Sequence, residues 1–276
     1  MCYKPRVSAP TSPRETKPLK VVIFCGGLGT RLREETEYRP KPMVPVGNRP
    51  ILWHIMKHYA VHGHKEFILC LGYKGSVIKD YFHNYHWNTS DVTIKLGQHP
   101  QTIYHNSHDE EDWSVTMVDT GEKTMTGGRL QRVLPFIEDD EFLVTYGDGV
   151  SDVNVNDLLA FHRQQGAGAT LTAVRPGGRF GELHLKDGMV SNFMEKPRDG
   201  HSSINGGFMV MNKASITPLL DGDSCVLEQA PLRHLSQTGQ LAAYTHQGFW
   251  QCMDNIREME ILNELWASGQ APWKTW

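Results

Sequence analysis

Short apolar runs alternate with amphipathic segments along the first two thirds of the chain. Four runs are largely apolar, which is typical of strands buried on both faces of a parallel sheet; they cover residues 20–25, 67–71, 141–146 and 169–174. Segments with one apolar face, typical of helices packed on such a sheet, begin after Asn48 and at 73–85, 127–137 and 153–165. This alternation predicts an α/β fold with a Rossmann-like, doubly wound and mostly parallel sheet.

The pattern changes after Pro176, where a hairpin is expected. Residues 182–185 and 189–194 flank a turn at Asp187-Gly188, so these two strands should be antiparallel. Further strands are predicted at 208–211 and 241–246, and further helices at 213–220, 226–237 and 255–266. The C-terminal half should therefore carry antiparallel additions to the sheet.

Two segments of the first half, 91–96 and 114–118, alternate polar and apolar residues in the manner of exposed strands. The histidine-rich segment between them is predicted to be a long loop, with residues 104–113 on the surface. Structural zinc is disfavoured there, because no third ligand of matching pattern stands near the spaced pairs His83/His86 and His105/His108.

Composition excludes several classes of protein. The formal net charge is −3, so nothing points to nucleic acid, and an anionic substrate must bind through a local cluster of cations. Five cysteines without a C-x-x-C pair indicate reduced thiols in a cytoplasmic protein, and no apolar run has the length of a membrane span. Residues 1–19 lack the apolar core of a signal peptide, so we expect a disordered extension followed by a single domain over 20–276.

A glycine-rich segment, Gly26-Gly-Leu-Gly-Thr-Arg-Leu32, follows the first predicted strand. Glycines let the backbone approach a ligand closely, and free N–H groups at a helix start favour anions, so the segment is either a phosphate cradle or a plain strand-to-helix turn. Leu32 stands where a dinucleotide-binding fingerprint needs a third glycine, and the G-K-[ST] of a Walker loop is absent.

Two cations narrow the expected anion to a triphosphate. Arg31 offers bidentate donors that stay charged, and Lys41 adds a compact charge between Pro40 and Pro42, which stiffen the backbone. Asp148 follows the predicted strand 141–146 at its carboxyl end, where ligands bind in open parallel sheets. Its carboxylate is either a magnesium ligand or the cap of a turn.

About ten motifs then occur in a fixed order over almost the whole chain from Lys20. Besides the glycine-rich segment they include Ile51-Leu-Trp-His-Ile-Met56, Gly72-Tyr-Lys-Gly75, Met125-Thr-Gly-Gly-Arg-Leu130, Tyr146-Gly-Asp-Gly-Val-Ser-Asp152, Glu195-Lys-Pro197, Ile204-Asn-Gly-Gly-Phe208 and Gly248-Phe-Trp-Gln251. With these motifs the chain resembles the sugar-nucleotide pyrophosphorylases. It most specifically resembles the branch that transfers the cytidylyl group to glucose 1-phosphate.

The resemblance implies the nucleotide-diphospho-sugar transferase type of fold and a reaction in which CTP and α-D-glucose 1-phosphate give CDP-glucose and pyrophosphate. It also implies Mg²⁺ as cofactor and a homo-oligomer, a hexamer in the best-known relatives. A sugar phosphate oxygen would attack the nucleotide α-phosphorus and pyrophosphate would leave in line. The protein's part would then be positioning and charge neutralisation.

The resemblance further implies residue roles. Arg31, Lys41 and Asp148 would be catalytic, and Asp148 and Asp254 would hold the metal. Nucleotide contacts are expected from Gly26, Gly27, Gly29, Thr30, Arg31, Gly72, Tyr73, Gly128 and Arg129. Sugar-phosphate contacts are expected from Tyr146, Glu195, Lys196, Asn205, Gly206 and Trp250. Without the resemblance, Asp254 would indicate only the cap of the last helix, and Trp250 a core residue.

Departures from the family pattern leave alternatives open. Cys252 stands where proline is usual, near the expected sugar pocket, so the exact sugar is undecided. The alternatives are the same reaction with another nucleoside triphosphate or sugar 1-phosphate, and a non-catalytic regulator that binds nucleotide sugars. Retention of Arg31, Lys41, Asp148 and Asp254 argues against the regulator. The terminal tryptophans Trp266, Trp273 and Trp276 indicate either a packed end or an interface.

Overall fold

The computed structural model describes residues 17–27, 29–105, 112–175, 182–186, 189–194 and 203–276. Of the hairpin 182–194, only the backbone of its two strands is described. The disordered extension predicted for 1–19 therefore lies outside this range except for residues 17–19, of which Leu19 packs into the core. The predicted turn Asp187-Gly188 also lies outside it.

The strands of the described chain, in order, are β1 Val21–Phe24, β2 Pro45–Val46, β3 Arg49–Pro50, β4 Glu66–Leu71, β5 Asp91–Lys95, β6 Gln101–His105, β7 Ser114–Asp119, β8 Glu141–Tyr146, β9 Gly149–Ser151, β10 Ala169–Val174, β11 Glu182–Lys186, β12 Met189–Met194, β13 Ile204–Asn212, β14 Leu241–Thr245 and β15 Trp250–Cys252. The α-helices are α1 Arg33–Thr36, α2 Ile51–Val61, α3 Gly75–His83, α4 Tyr85–Thr89, α5 Thr126–Val133, α6 Val155–Gln165, α7 Lys213–Ile216, α8 Ala230–Gln237 and α9 Ile256–Ala267. Short 3₁₀ turns occur at Thr30–Leu32, Lys41–Met43, Leu134–Phe136 and Thr217–Leu219.

Seven strands form the central sheet in the order β14-β10-β13-β8-β1-β4-β7. Within it β13 is antiparallel to both β8 and β10, and the other neighbours are parallel. The predicted doubly wound, mostly parallel sheet with antiparallel additions is therefore confirmed. The hairpin is confirmed as well, because β11 and β12 pair antiparallel.

The core lies in two layers on opposite faces of this sheet. Alternate residues of β1 enter different layers: Val21 and Ile23 pack with α2 and α6 residues, whereas Val22 and Phe24 pack with α5 and α8 residues. Side chains alternate across a strand, so a strand buried on both faces must be apolar throughout, as this one is. The carboxyl ends of β1 and β8 then open at one edge of the sheet, where the site lies.

The prediction of a long loop between residues 91–96 and 114–118 is partly wrong. Gln101–His105 forms strand β6, which pairs antiparallel with β5 outside the central sheet. Thr102, Ile103 and Tyr104 have high β-propensity, and pairing with β5 satisfies their backbone groups. The second predicted strand, β7, is not a free exposed strand either, because it extends the central sheet parallel to β4. Residues 106–111 lie outside the described range.

Helices α3 and α8 begin later than their apolar pattern indicates. Lys74 has a φ of 50°, in the left-handed region, so α3 begins only at Gly75. The helix expected from 226 begins at Ala230, with Pro231 in its first turn, where a missing N–H does no harm.

The C-terminal tryptophans form a packed end. Ring centroids of Trp266, Trp273 and Trp276 lie 4.6, 6.2 and 6.4 Å from that of His54. Trp273 Nε1 donates to His54 Nδ1 at 3.4 Å, so His54 Nε2 carries the proton and donates to Val46 O at 2.9 Å. Burial lowers the pKa of His54 to about 4, and the imidazole is neutral in this apolar setting.

His58 and His64 are also buried in the same half of the core. Burial lowers the pKa of His58 to about 3 and that of His64 to about 4. His64 Nδ1 accepts a hydrogen bond from Leu19 N–H at 3.0 Å, which ties the chain before β1 to the loop after α2. In the described part of the chain, no helix combines the length and apolar character that crossing a membrane needs.

The free energy of unfolding should fall as pH drops from about 6.5 towards 4. Unfolded histidines bind protons below about pH 6.5, whereas the three buried ones stay neutral in the fold to about pH 4 or below, so acid favours the unfolded chain. Each buried histidine adds about 1.4 kcal/mol per pH unit to the pH dependence of the free energy of unfolding in this window. Urea unfolding from pH 5 to 6.5 measures the slope.

The variant His64→Asn keeps an acceptor for Leu19 N–H but cannot titrate, so its slope should be smaller by about one histidine's share. The matched control is His234→Asn on an exposed part of α8, which should retain the parent slope. An unchanged slope in His64→Asn would contradict the assignment.

Candidate active site

A cavity of about 350 Å³ opens at the carboxyl ends of β1 and β8. Its wall combines the glycine-rich segment, cations, carboxylates and hydroxyls; it comprises Phe24, Cys25, Gly26, Gly27, Gly29, Thr30, Arg31, Lys41, Pro42, Thr126, Arg129, Tyr146, Gly147, Asp148 and Asp254. Helix starts and loops converge at the carboxyl ends of parallel strands, and this convergence brings the wall residues together. Ligands of open parallel sheets bind at this edge.

The glycine-rich segment leaves β1 through a tight turn. Gly29 has a φ of 60°, a left-handed conformation that favours glycine, and its carbonyl accepts from Leu32 N–H at 3.0 Å and from Thr36 Oγ1 at 3.0 Å. The turn continues as one 3₁₀ turn and then α1, so the expected helix start is present but short. Gly26, Gly27, Gly29 and Thr30, the residues of this segment expected to contact the nucleotide, all lie on the cavity wall.

Arg129 braces this segment from behind. Its side chain is buried, with the residue only 2% exposed, and its guanidinium donates to Leu71 O at 3.0 Å, Thr120 Oγ1 at 2.7 Å and Glu122 O at 3.2 Å. A Cβ on Gly26 would lie 2.1 Å from Arg129 Nη1, and one on Gly72 would lie 2.6 Å from it. Both glycines are therefore needed where the guanidinium packs, and most of its donors serve the scaffold.

Lys41 is the centre of the charge cluster. Its Nζ lies 2.6 Å from Asp148 Oδ2 and 2.5 Å from Asp254 Oδ1, and its side chain is only 14% exposed. Burial opposes its charge, but the two carboxylates outweigh burial, so the pKa of Lys41 is raised and the amine stays protonated.

A small ladder brings the two carboxylates to the same amine. β9 and β15 pair antiparallel with Gly149 opposite Cys252, and Met253 N–H donates to Asp148 O at 2.8 Å. This pairing places Asp254 beside Asp148 although the two are far apart in the chain. The backbone N–H of Asp254 in turn donates to Glu258 Oε2 at 2.6 Å.

Asp254 is held by the start of the last helix. Asn255 caps α9 by accepting from Glu258 N–H at 3.1 Å, and the side chain of Glu258 reaches back to Asp254, close to a capping-box arrangement. Cys252 lies behind this cluster with its Sγ 3.9 Å from Glu258 Oε2. Burial, then the neighbouring carboxylates, raises the pKa of Cys252 to about 12, so the thiol is protonated at neutral pH.

Arg31 presents the exposed cation of the site. Its side chain is 78% exposed, and Nη1 lies 3.2 Å from Asp254 Oδ2. The opposite sides of the Asp254 carboxylate thus face Arg31 and Lys41. Both cations lie on the cavity wall beside the glycine-rich segment, an arrangement that suits a polyphosphate.

Of the described residues expected to contact the sugar, Tyr146 lines the cavity, whereas Asn205, Gly206 and Trp250 do not. Tyr146 is on the wall, and its ring packs so closely on Gly207 that a Cβ there would lie 2.5 Å from Cδ2. Asn205 Oδ1 accepts from Gly207 N–H at 2.9 Å, and Trp250 Nε1 donates to Gly206 O at 2.7 Å. The structure therefore brings Tyr146, Asn205, Gly206 and Trp250 together. Glu195 and Lys196 lie outside the described residues.

Three expected nucleotide residues, Gly72, Tyr73 and Gly128, lie off the wall. Tyr73 donates its hydroxyl to Thr36 O at 3.1 Å and so supports α1. Gly128 is buried in α5, where a Cβ would lie 2.7 Å from Gly222 O. In this structure Tyr73 and Gly128 pack around the site and do not line it.

Sequence reasoning missed Thr126 and Glu228. Thr126 is on the wall, and its hydroxyl donates to Glu228 Oε2 at 2.6 Å. The hydroxyl of Tyr146 donates to the other oxygen of the same carboxylate. The motif at 125–130 contains Thr126, but no local pattern links position 126 or 146 to position 228.

Three comparisons with known proteins find relatives of this chain. The family model described as nucleotidyl transferase matches residues 20–219. Glucose-1-phosphate cytidylyltransferase of Salmonella typhimurium is 53% identical over 259 residues, which are 94% of this chain and 100% of that protein.

Solved structures share the fold. HddC from Yersinia pseudotuberculosis superposes with a TM-score of 0.65 at 22% identity, covering 90% of this chain and 99% of that one. UDP-glucose pyrophosphorylase complexed with UDP-glucose superposes with a TM-score of 0.65 at 14% identity, covering 92% of this chain and 100% of that one. At these identities the likeness concerns the fold alone, and it confirms the expected type.

Gly26→Ala should destabilise the protein by about 1–3 kcal/mol, because the new methyl group displaces the Arg129 guanidinium from its buried acceptors. The matched control is Gly27→Ala, since a Cβ there meets nothing within 4 Å. Urea unfolding of both variants measures the difference. Equal stabilities would show that Arg129 does not brace the segment.

Proposed function

We propose that this chain, which belongs to the nucleotidyl transferase family, joins CTP and α-D-glucose 1-phosphate to give CDP-glucose and pyrophosphate. The observation that carries the proposal is the ion cluster of Lys41, Asp148 and Asp254 beside the glycine-rich segment. The choice of CTP and glucose 1-phosphate is supported by the cytidylyltransferase that is 53% identical over 94% of the chain.

The triphosphate lies along the glycine-rich segment in this proposal. Close approach needs backbone without side chains, and Gly27 provides it because its Cβ position faces open space. Arg31 is exposed and can turn from Asp254 to a phosphate oxygen at little cost, since an exposed ion pair contributes at most about 1 kcal/mol. Lys41 is nearly buried and acts as a fixed charge.

The reaction is a substitution at the nucleotide α-phosphorus. An oxygen of the sugar phosphate forms the new P–O bond while the bond to pyrophosphate breaks in line. Both reactants are anions, so the barrier falls when cations neutralise their oxygens and hold them in line. Arg31 and Lys41 supply those cations, and the residues proposed to bind the sugar orient the attacking phosphate.

We propose that Asp148 and Asp254 hold Mg²⁺. Each already brings an oxygen to within 2.6 Å of one cation, Lys41 Nζ, so they form a preassembled oxygen donor pair of the kind Mg²⁺ prefers. When bound, Mg²⁺ supplies charge that polarises the α-phosphate and stabilises the leaving pyrophosphate. Lys41, released from sharing both carboxylates, keeps its charge for the substrate.

Residues on and beside the cavity wall bind the sugar phosphate in this proposal. Tyr146 forms the wall, Asn205 and Gly206 support it, and Trp250 is anchored to Gly206 O and packs with the core. Glu195 and Lys196 are assigned the sugar hydroxyls and the sugar phosphate on resemblance alone. Nucleotide roles for Gly72, Tyr73 and Gly128 are indirect, through Arg129, Thr36 and α5.

We further propose a cytoplasmic homo-oligomer, a hexamer by resemblance. The four described cysteines are free, which suits a reducing compartment. The β5–β6 hairpin exposes several large apolar side chains, with Leu96 91% exposed, and such patches mark association surfaces. Light scattering of the purified protein measures the copy number.

A panel of nucleoside triphosphates and sugar 1-phosphates, assayed for pyrophosphate release, tests the substrate. CTP with glucose 1-phosphate should give the highest kcat/KM, and removal of divalent metal with EDTA should abolish turnover until Mg²⁺ is restored. A strong preference for another nucleotide or sugar would replace the substrate and keep the mechanism. Tight binding without turnover would favour the regulator.

Arg31→Ala should lower kcat/KM by about 10²-fold or more while changing the free energy of unfolding by less than about 1 kcal/mol, because its side chain is largely exposed. The matched control is Arg33→Ala, an exposed arginine that does not line the cavity. It should keep parent activity. An active Arg31→Ala enzyme would remove Arg31 from the phosphate site.

A further inference from the structure

Two hydroxyl groups on the cavity wall share one carboxylate. Tyr146 donates its proton to one oxygen of Glu228, and Thr126 donates to the other at 2.6 Å. Both hydroxyls belong to wall residues, whereas Glu228 is exposed, does not line the cavity and lies in the segment before α8. The Glu228 carboxylate therefore sets the direction of the O–H bonds of Tyr146 and Thr126.

A hydroxyl has one proton and two lone pairs. A hydroxyl that donates its hydrogen bond to a carboxylate can only accept hydrogen bonds from a ligand. Thr126 Oγ1 already accepts from Leu227 N–H at 3.0 Å, which fixes its orientation as well as its polarity.

The segment that carries Glu228 is firmly held against the wall. Met125 N–H donates to Asp223 O at 2.8 Å, and Gly127 N–H donates to Cys225 O at 2.9 Å. Arg132 makes two bonds to the Asp223 carboxylate, at 3.1 and 2.7 Å. Glu228 is therefore placed by backbone bonds on both sides of Thr126, although its own side chain is exposed.

We propose that Glu228 is a positioning residue that makes the Tyr146 and Thr126 hydroxyls acceptors, so that this part of the cavity wall selects a ligand group that donates. Given the proposed function, on which this role rests, that group is a hydroxyl of the sugar 1-phosphate. A phosphate oxygen has no proton to donate, so it would meet only the lone pairs of the Tyr146 and Thr126 hydroxyls. The two hydroxyls therefore also orient the substrate with its phosphate towards Arg31 and Lys41.

Deoxyfluoro analogues of the sugar 1-phosphate test the role, since fluorine replaces a hydroxyl at similar size but cannot donate. The parent enzyme should turn over at least one analogue with kcat/KM about tenfold or more below that of the sugar itself. In Glu228→Gln the amide donates to one hydroxyl, which must turn its own proton into the cavity. The ratio of kcat/KM for sugar to analogue should then fall by about tenfold.

Asp221→Asn is the matched control, because it makes the same change of charge on an exposed side chain of the same segment that does not line the cavity. It should keep the parent ratio. Tyr146→Phe removes one acceptor and should lower the ratio as Glu228→Gln does; it decides the question if Glu228→Gln does not fold. Thermal unfolding checks each variant.

An unchanged ratio in folded Glu228→Gln or in Tyr146→Phe would overturn the role of Glu228, as would a parent enzyme indifferent to every analogue. If the substrate panel selects another sugar, its own deoxyfluoro series is used. Absence of turnover by the parent enzyme with every sugar 1-phosphate would instead contradict the proposed function, so the two failures are distinguishable.

Discussion

The shared ion pair of Lys41 with Asp148 and Asp254 joins parts of the chain that are 107 and 213 residues apart. A nearly buried ammonium needs such partners, because desolvation alone would favour its neutral form. Its position depends on the Pro40-Lys41-Pro42 turn, and the carboxylates depend on β8, on the β9–β15 ladder and on the cap of α9. The active-site edge of the sheet is arranged around this one charge.

A second cation, Arg129, shows how the same chemistry can serve the scaffold. Its guanidinium fills the space left by Gly26 and Gly72 and satisfies backbone oxygens around β4 and the loop after β7. The Arg129 guanidinium therefore packs directly against Gly26 at the start of the glycine-rich segment. Its positive charge adds to the field that an anion bound there would meet.

Two groups of residues on the cavity wall differ in hydrogen-bonding character. Arg31 and Lys41 offer donors, whereas the hydroxyls of Tyr146 and Thr126 donate to Glu228 and so offer lone pairs to a ligand. A sugar phosphate carries acceptors on its phosphate and donors on its ring. In the proposed function, this cavity complements that polarity and so aligns the sugar phosphate with a nucleotide.

The sequence by itself determined the sheet class and the strand–glycine turn, and it singled out Arg31, Lys41 and Asp148, which the structure places on one cavity wall. Each of these follows from a local pattern of apolar period, glycine, proline or strand end. The ladder beside Asp254, the strand β6, the bracing role of Arg129 and the place of Glu228 were decided only by the tertiary structure. In each case the physical reason is that the deciding partner is remote or belongs to a different strand pairing: Glu228 meets Tyr146 across 82 residues and Thr126 across 102. Local periodicity cannot predict such contacts, because they form only when packing brings the carboxyl ends of the strands together.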